Sequence, residues 1–109
     1  MAGEEIRQVV QVEAEATAGQ TPVGITVTAA STQILAANAS RKVAIITNDS
    51  DTVVYLAIGV AAQANKGIRL NANGGTIVIS QTGDIFSTEA VYGILATAGN
   101  KNVTAQELQ

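Results

Sequence analysis

The chain has 109 residues, 47% of them hydrophobic and only 3% aromatic, with a formal net charge of −3 and neither cysteine nor histidine. That length suits one domain with a single core. The two missing residue types remove disulfides, thiolate nucleophiles, Ser-His-Asp and Cys-His arrangements, and the usual ligands of zinc, copper and iron.

The charge sits at one end. Glu4, Glu5, Glu13 and Glu15 against Arg7 account for all of it, and the remainder balances to zero. No basic stripe with interleaved aromatics is present, so nucleic acid is not an expected partner. No stretch approaches the roughly 18 apolar residues of a membrane span. "MAGEEIRQVV" carries glutamates where an export signal needs a basic region and an apolar run. The expectation is a chain made in the cytoplasm without a signal peptide and without a membrane partner.

From Val10 to Thr17 the residues alternate strictly, with Val10, Val12, Ala14 and Ala16 on one side and Gln11, Glu13, Glu15 and Thr17 on the other. A period of two predicts a strand, and Glu13 interrupts the stripe that a helix would need after Ile6, Val9 and Val10. "AGQTPVG" holds the only proline, Pro22, and reads as a loop or linker. Residues 1–22 are therefore expected to form an acidic arm or extra strand with its linker, and residues 23–109 the main domain.

In that domain "ITVTA" and "TQILAA" are short alternating strands, and the polar cluster "NASRK" leads into the strand "VAIITN". The segment "NDSD" is a turn before "TVVYLAIG", and "VAAQANKG" is a loop with room for one helical turn between Gly59 and Gly67. "GIRLN", "NANGG" and "TIVIS" form the strongest hairpin signal in the chain, since consecutive Asn and Gly tolerate positive φ. After "QTGD" come strands over "IFS", "VYGILATAG" and "KNVTAQEL", with Gly93 predicting a bulge or a close backbone approach. Eight or nine short strands with turn signals about every 8 to 12 residues predict an all-β fold. The expected architecture is a small antiparallel β-sandwich or jelly-roll-like barrel of about eight strands, with an N-terminal arm or extra strand. Its core is expected to be Val, Ile, Leu and Ala, because three aromatics cannot fill it. Few charges are available to protect edge strands, which points to outer faces covered by other copies or by a partner.

The segment "ASRKVAIITNDSDTVVYLAIG...GIRLNANGGTIVIS...VYGILATAG...VTAQE" resembles a small β-sandwich domain that recurs among virion structural proteins of tailed bacteriophages. Arg41-Lys42 opens a strand ending in Asn48, and a tight turn precedes the strand with Tyr55 and Leu56 ending at Gly59. Gly67-Ile68-Arg69-Leu70 leads to the turn Gly74-Gly75, and Tyr92-Gly93-Ile94 and Val103-Thr104-Ala105-Gln106-Glu107 close the pattern. The likeness covers about residues 31 to 107. It implies a head decoration protein, head fibre base or tail appendage module, commonly a trimer, with no catalytic residues to carry over. The glycine turn lacks the family's usual proline, and the N-terminal segment is unusually acidic.

Asn48-Asp49-Ser50-Asp51 is a candidate calcium loop, but six to eight oxygens are needed and Thr52-Val53-Val54 adds no carboxylate. A turn held by Asx side chains accounts for it with fewer assumptions. Asp49, Asp51, Asp84 and Glu89 could supply a carboxylate pair for glycoside hydrolysis, yet no spacing fixes their separation and surface charge explains them better. "NANGG" lacks the lysine and following Ser or Thr of a phosphate loop. No catalytic, cofactor or metal site is assigned, and a small-molecule ligand is not expected. The residues singled out for partner binding are Ile6, Val9, Val10 and Val12 of the arm with Arg41 and Lys42. For the arm the alternative is the first strand of the sandwich itself, and for the basic pair it is protection of an edge strand. The expected function is that of a non-enzymatic capsid decoration, or cement, protein on the virion surface. As a homotrimer it would bind the major capsid protein shell and stabilise it by avidity. The alternative is a phage tail or fibre module that binds a host surface glycan.

Overall fold

The computed structural model describes residues 18–109. They form β1 (Val23–Val27), β2 (Thr32–Leu35), β3 (Val43–Asn48), β4 (Val54–Ile58), β5 (Ile68–Leu70), β6 (Thr76–Ser80), β7 (Val91–Leu95) and β8 (Lys101–Leu108). Two four-stranded antiparallel sheets result, ordered β1-β8-β3-β6 and β2-β7-β4-β5. The pairs β1–β8, β2–β7, β3–β6 and β4–β5 are those of one long ribbon folded in half. Rolling that ribbon adds the β8–β3 and β7–β4 contacts. This is the strand order of an eight-stranded jelly roll. The all-β sandwich expected from strand count and turn spacing is therefore the fold observed.

Period-two patterning places the core. In β3, Ala44, Ile46 and Asn48 are buried while Val43, Ile45 and Thr47 face outward. Between the sheets, Val27, Ile34, Leu35, Ile46, Leu56, Ile79, Val91, Leu95 and Val103 pack in a wholly aliphatic cluster. Gly93 marks a close approach, as its position in a strand pattern predicts. A Cβ there would lie 2.7 Å from Ile34 Cδ1. The accompanying irregularity is in β2, between Gln33 and Leu35. It lets both Ile34 and Leu35 turn inward, which strict alternation forbids.

Three expectations are corrected. The two strongest turn signals are not hairpins: "NDSD" carries the chain from β3 in the first sheet to β4 in the second, and "NANGG" carries it back from β5 to β6. The required positive φ is present at Asn73 and Gly74. A tight reversal does not dictate that its flanking strands pair, and here each strand meets its partner from farther along the chain. Among the described residues the only consecutive strands that pair are β4 and β5, joined by the loop between Ile58 and Ile68. "IFS" is not a strand. Ile85 and Phe86 are exposed in the loop before β7, and the Ile85 carbonyl accepts the Ser80 N–H at the end of β6. Finally, part of the expected linker is paired: Ala18 and Gln109 exchange backbone hydrogen bonds, and Gln20 N–H donates to the Glu107 carbonyl. Between the Gly19–Leu108 bridge and the Val23–Ala105 pair the first strand carries one residue more than β8. Pro22, without an N–H, sits in that irregular step. The alternating strand expected over Val10 to Thr17 lies outside the described residues.

Candidate interaction surfaces

Both ends of β3 are closed by a buried polar side chain. At its end, Asn48 is fully buried. Its Nδ2 donates to the carbonyls of Thr52 (2.8 Å), Leu70 (3.1 Å) and Asn71 (3.2 Å), and its Oδ1 accepts from Ser50 Oγ. The Asn48 backbone pairs with Gly74 and Gly75, and Asn73 N–H donates to the Ser50 carbonyl. One side chain thus laces the two sheet-to-sheet corners together, its two N–H groups shared among three carbonyls, of which Thr52 also accepts from Ser50 Oγ and Asn71 from the Gly75 N–H.

At the other end, Arg41 is 1% exposed. Its Nε donates to Glu107 Oε2 on β8, Nη1 to the carbonyls of Ser87 and Glu89, and Nη2 to that of Ala36. Arg41 was a candidate partner contact. The structure instead places its guanidinium inside, joining β8 of one sheet to the loops that flank β2 and β7 of the other. A planar fork of donors suits that junction, and four of its five N–H groups are engaged inside the protein. The sequence signal for this role was weak, because a basic pair before a strand usually marks a solvated edge. Lys42 is part-exposed and its backbone N–H donates to the Leu108 carbonyl. Ile6, Val9, Val10 and Val12 lie outside the described residues.

The aspartates of the first corner do not converge. Asp51 Oδ1 accepts from Lys101 Nζ at 2.7 Å and from Thr52 Oγ1, while Asp49 Oδ2 accepts from Asn102 Nδ2. Asp84 and Glu89 are exposed in the loop before β7. Among the described residues no three acidic side chains gather in one place. The Lys101 hydrogen bond, with help from Thr52 and the Lys101 charge, holds the Asp51 carboxyl below its ordinary 3.8. A folded-state value below the unfolded one stabilises above pH 3.8 and is lost as pH falls through the folded value. Asp51 is 75% exposed, so solvent screens the pair. Asp51→Asn should lower the melting temperature at pH 7 by no more than about 2 °C and leave it unchanged at pH 2, by circular dichroism.

Two outer faces remain. On the first sheet the register aligns Leu108–Val43–Ser80, Gln106–Ile45–Val78 and Thr104–Thr47–Thr76 across β8, β3 and β6. With Gly24 and Thr26 of β1 and Asn102 of β8, none of these outward positions is charged. Ile45 and Val78, directly opposite each other, are 39% and 51% exposed. A groove of about 230 Å³ lies here between Pro22 and Ile45, Thr47 and Gln106. The edge strand β6, "TIVIS", has no charge, proline or bulge to block a further strand. Ser80 N–H points away from β3, so ladder alternation also turns the N–H and C=O of Thr76 and Val78 outward.

On the second sheet the outward positions are Gln33, Tyr92, Ile94, Tyr55, Ala57 and Arg69. The structure brings both tyrosines of the chain onto this one face. Sequence reading missed it, because the strands that carry them, β4 and β7, are far apart in the chain.

Fold and surfaces define a jelly-roll domain with one outer face uncharged at its centre and another that carries both tyrosines with Arg69. No family model, no curated protein and no solved structure matches the chain.

Proposed function

We propose that this is a non-enzymatic structural protein of a tailed-phage virion, a decoration protein that self-associates, as a trimer, and binds the shell of major capsid protein. The observation that carries this reading is the uncharged outer face of the first sheet, with Ile45 and Val78 exposed at its centre. Burying the centre of this face desolvates no ion, Asp49 lying at its end beside Asn102, so contact area there translates into adhesion with little electrostatic penalty. The unguarded β6 edge beside it invites a strand from another chain, and the alternating segment Val10–Thr17 has the pattern to supply one. Many weak, symmetry-related contacts on a shell add up by avidity. The resemblance of the sequence pattern to phage virion sandwiches favours a virion over other assemblies, and the tail or fibre module stays as the second location.

The test mixes purified protein with undecorated heads and, separately, with tails, and images which particle gains regular density. Heads should gain it, and Val78→Lys should abolish it while leaving the melting temperature within about 3 °C, because the site is outward-facing. Heads that stay bare, or a Val78→Lys protein that binds as before, would overturn the assignment. Light scattering should give three times the chain mass, and deletion of residues 1–17 should reduce it.

A further inference from the structure

The chain has three aromatic residues and none lies in its core. Phe86 is in a loop, whereas Tyr55 and Tyr92 share the outer face of the second sheet. There Tyr55 stands between Ile94 and Arg69, and Tyr92 opposite Ala57, so the tyrosines are diagonal neighbours on adjacent strands, a spacing of about 7–8 Å. Ile94 on the same face is only 9% exposed. Both tyrosines remain part-exposed.

Beside Tyr92 the surface sinks. Ala57 and Gly67 floor a groove of about 200 Å³ rimmed by Val60, Gln63 and Lys66. The rim is held in place, since Ala62 is buried and its N–H donates to Ser31 Oγ at 2.9 Å. The floor has to stay low at Gly67, where φ is +83° and a Cβ would lie 2.6 Å from the Leu56 carbonyl oxygen. Two cations, Arg69 and Lys66, stand on this face, and the Glu89 side chain packs beside Gly59 at the end of β4. Arg69 Nε donates to Asn71 Oδ1, and among the described residues neither Arg69 nor Lys66 is paired with a carboxylate.

We infer that this face binds an acidic saccharide: a sugar ring rests against Tyr55 and Tyr92, and its carboxylate or sulfate is held by Arg69 and Lys66. Sugar rings present apolar C–H faces that pack on aromatic rings, and tyrosine adds a polar tip. The amides of Gln33 and Gln63 are at hand for hydroxyls. A guanidinium fork matches a carboxylate or sulfate in two parallel hydrogen bonds. The open shape suits a chain laid along a surface more than an enclosed apolar molecule. A nucleic acid strand would share the stacking and the anions but needs a longer run of cations than two. The site depends on this face alone, wherever in an assembly the protein sits, so its failure would leave the head-binding result untouched.

The protein contains no tryptophan, and its two tyrosines are both on this face, so tyrosine emission reports the site directly. The full chain would be titrated with oligogalacturonate, a heparin-derived hexasaccharide, methyl-esterified oligogalacturonate and an oligothymidylate. A saturable change with at least one of the two acidic sugars is expected, and which one responds distinguishes carboxylate from sulfate. Arg69→Gln, and separately Lys66→Gln, should each weaken it about tenfold, the scale of one charged hydrogen bond. If oligogalacturonate is the ligand its methyl ester should bind far more weakly, and Tyr92→Leu should lose binding with its sheet spectrum intact. Silence with both acidic sugars, equal binding of the ester and its acid, equal binding of oligothymidylate, or unaltered affinity in both cation variants would overturn the inference.

Discussion

Asn48→Ala is expected to destabilise the protein by about 2–3 kcal/mol and to lower its melting temperature by about 12 °C. Three carbonyls, of Thr52, Leu70 and Asn71, point at Asn48 Nδ2 in a place where the residue itself has no exposure. Removing the amide takes a shared donor from all three; Thr52 keeps Ser50 Oγ and Asn71 keeps the Gly75 N–H, so the Leu70 carbonyl, with the cavity left behind, bears most of the cost of about 1–3 kcal/mol. The loss is not one of volume alone, and Asn48→Asp separates the two. The carboxylate keeps the shape but turns an acceptor toward the same carbonyls, so it should cost at least as much as alanine at neutral pH. Thermal melts check both, and an aspartate variant as stable as the parent would remove Asn48 from its place as the tie between corners.

The second large effect is at Arg41. Arg41→Ala should cost about 3–5 kcal/mol, because it strands the Glu107 carboxylate and three carbonyls at the closed end of the sandwich. Arg41→Lys should restore only a minor part, since one ammonium cannot present donors at once to Glu107, Ser87, Glu89 and Ala36. Arg41→Met combined with Glu107→Gln should be more stable than Arg41→Met alone, because no charge is then left unpaired. Urea unfolding gives all of these values. An Arg41→Ala protein of parental stability would return the residue to the surface role its sequence context suggests. Lys42→Ala, next to it and part-exposed, should change stability by less than about 0.5 kcal/mol.

Much of the fold is legible along the chain because its cues are local. "VAIITN", "TIVIS" and "KNVTAQEL" coincide with β3, β6 and β8 to the residue. In each, alternation or β-branching states which backbone conformation buries one face. "IFS" has the same apolar character without pairing, since no neighbouring strand is placed to receive it. Gly93 announced a tight contact but could not name Ile34, which comes from a strand about sixty residues earlier.

The surfaces were less legible. Arg41-Lys42 reads as one basic pair, yet one member is interior and the other part-exposed, because the chain reaches β3 through a turn that points Arg41 between the sheets. "NDSD" reads as a turn and is one, but the residue that matters is Asn48, which looks in sequence like the last residue of an ordinary strand. Its importance appears only when the β5–β6 corner arrives beside it. Tyr55 and Tyr92 are ordinary strand residues until β7 docks against β4.

The sequence by itself determined an all-β chain with an aliphatic core, a nearly uncharged body and sharp turns, since composition, period and φ tolerance are properties of short stretches. Which strands pair, which turns cross between sheets, which cation is buried and which side chains share a face were decided only by the tertiary structure. Those are contacts between residues tens of positions apart, and their energies exist only once the rolled ribbon brings both partners together.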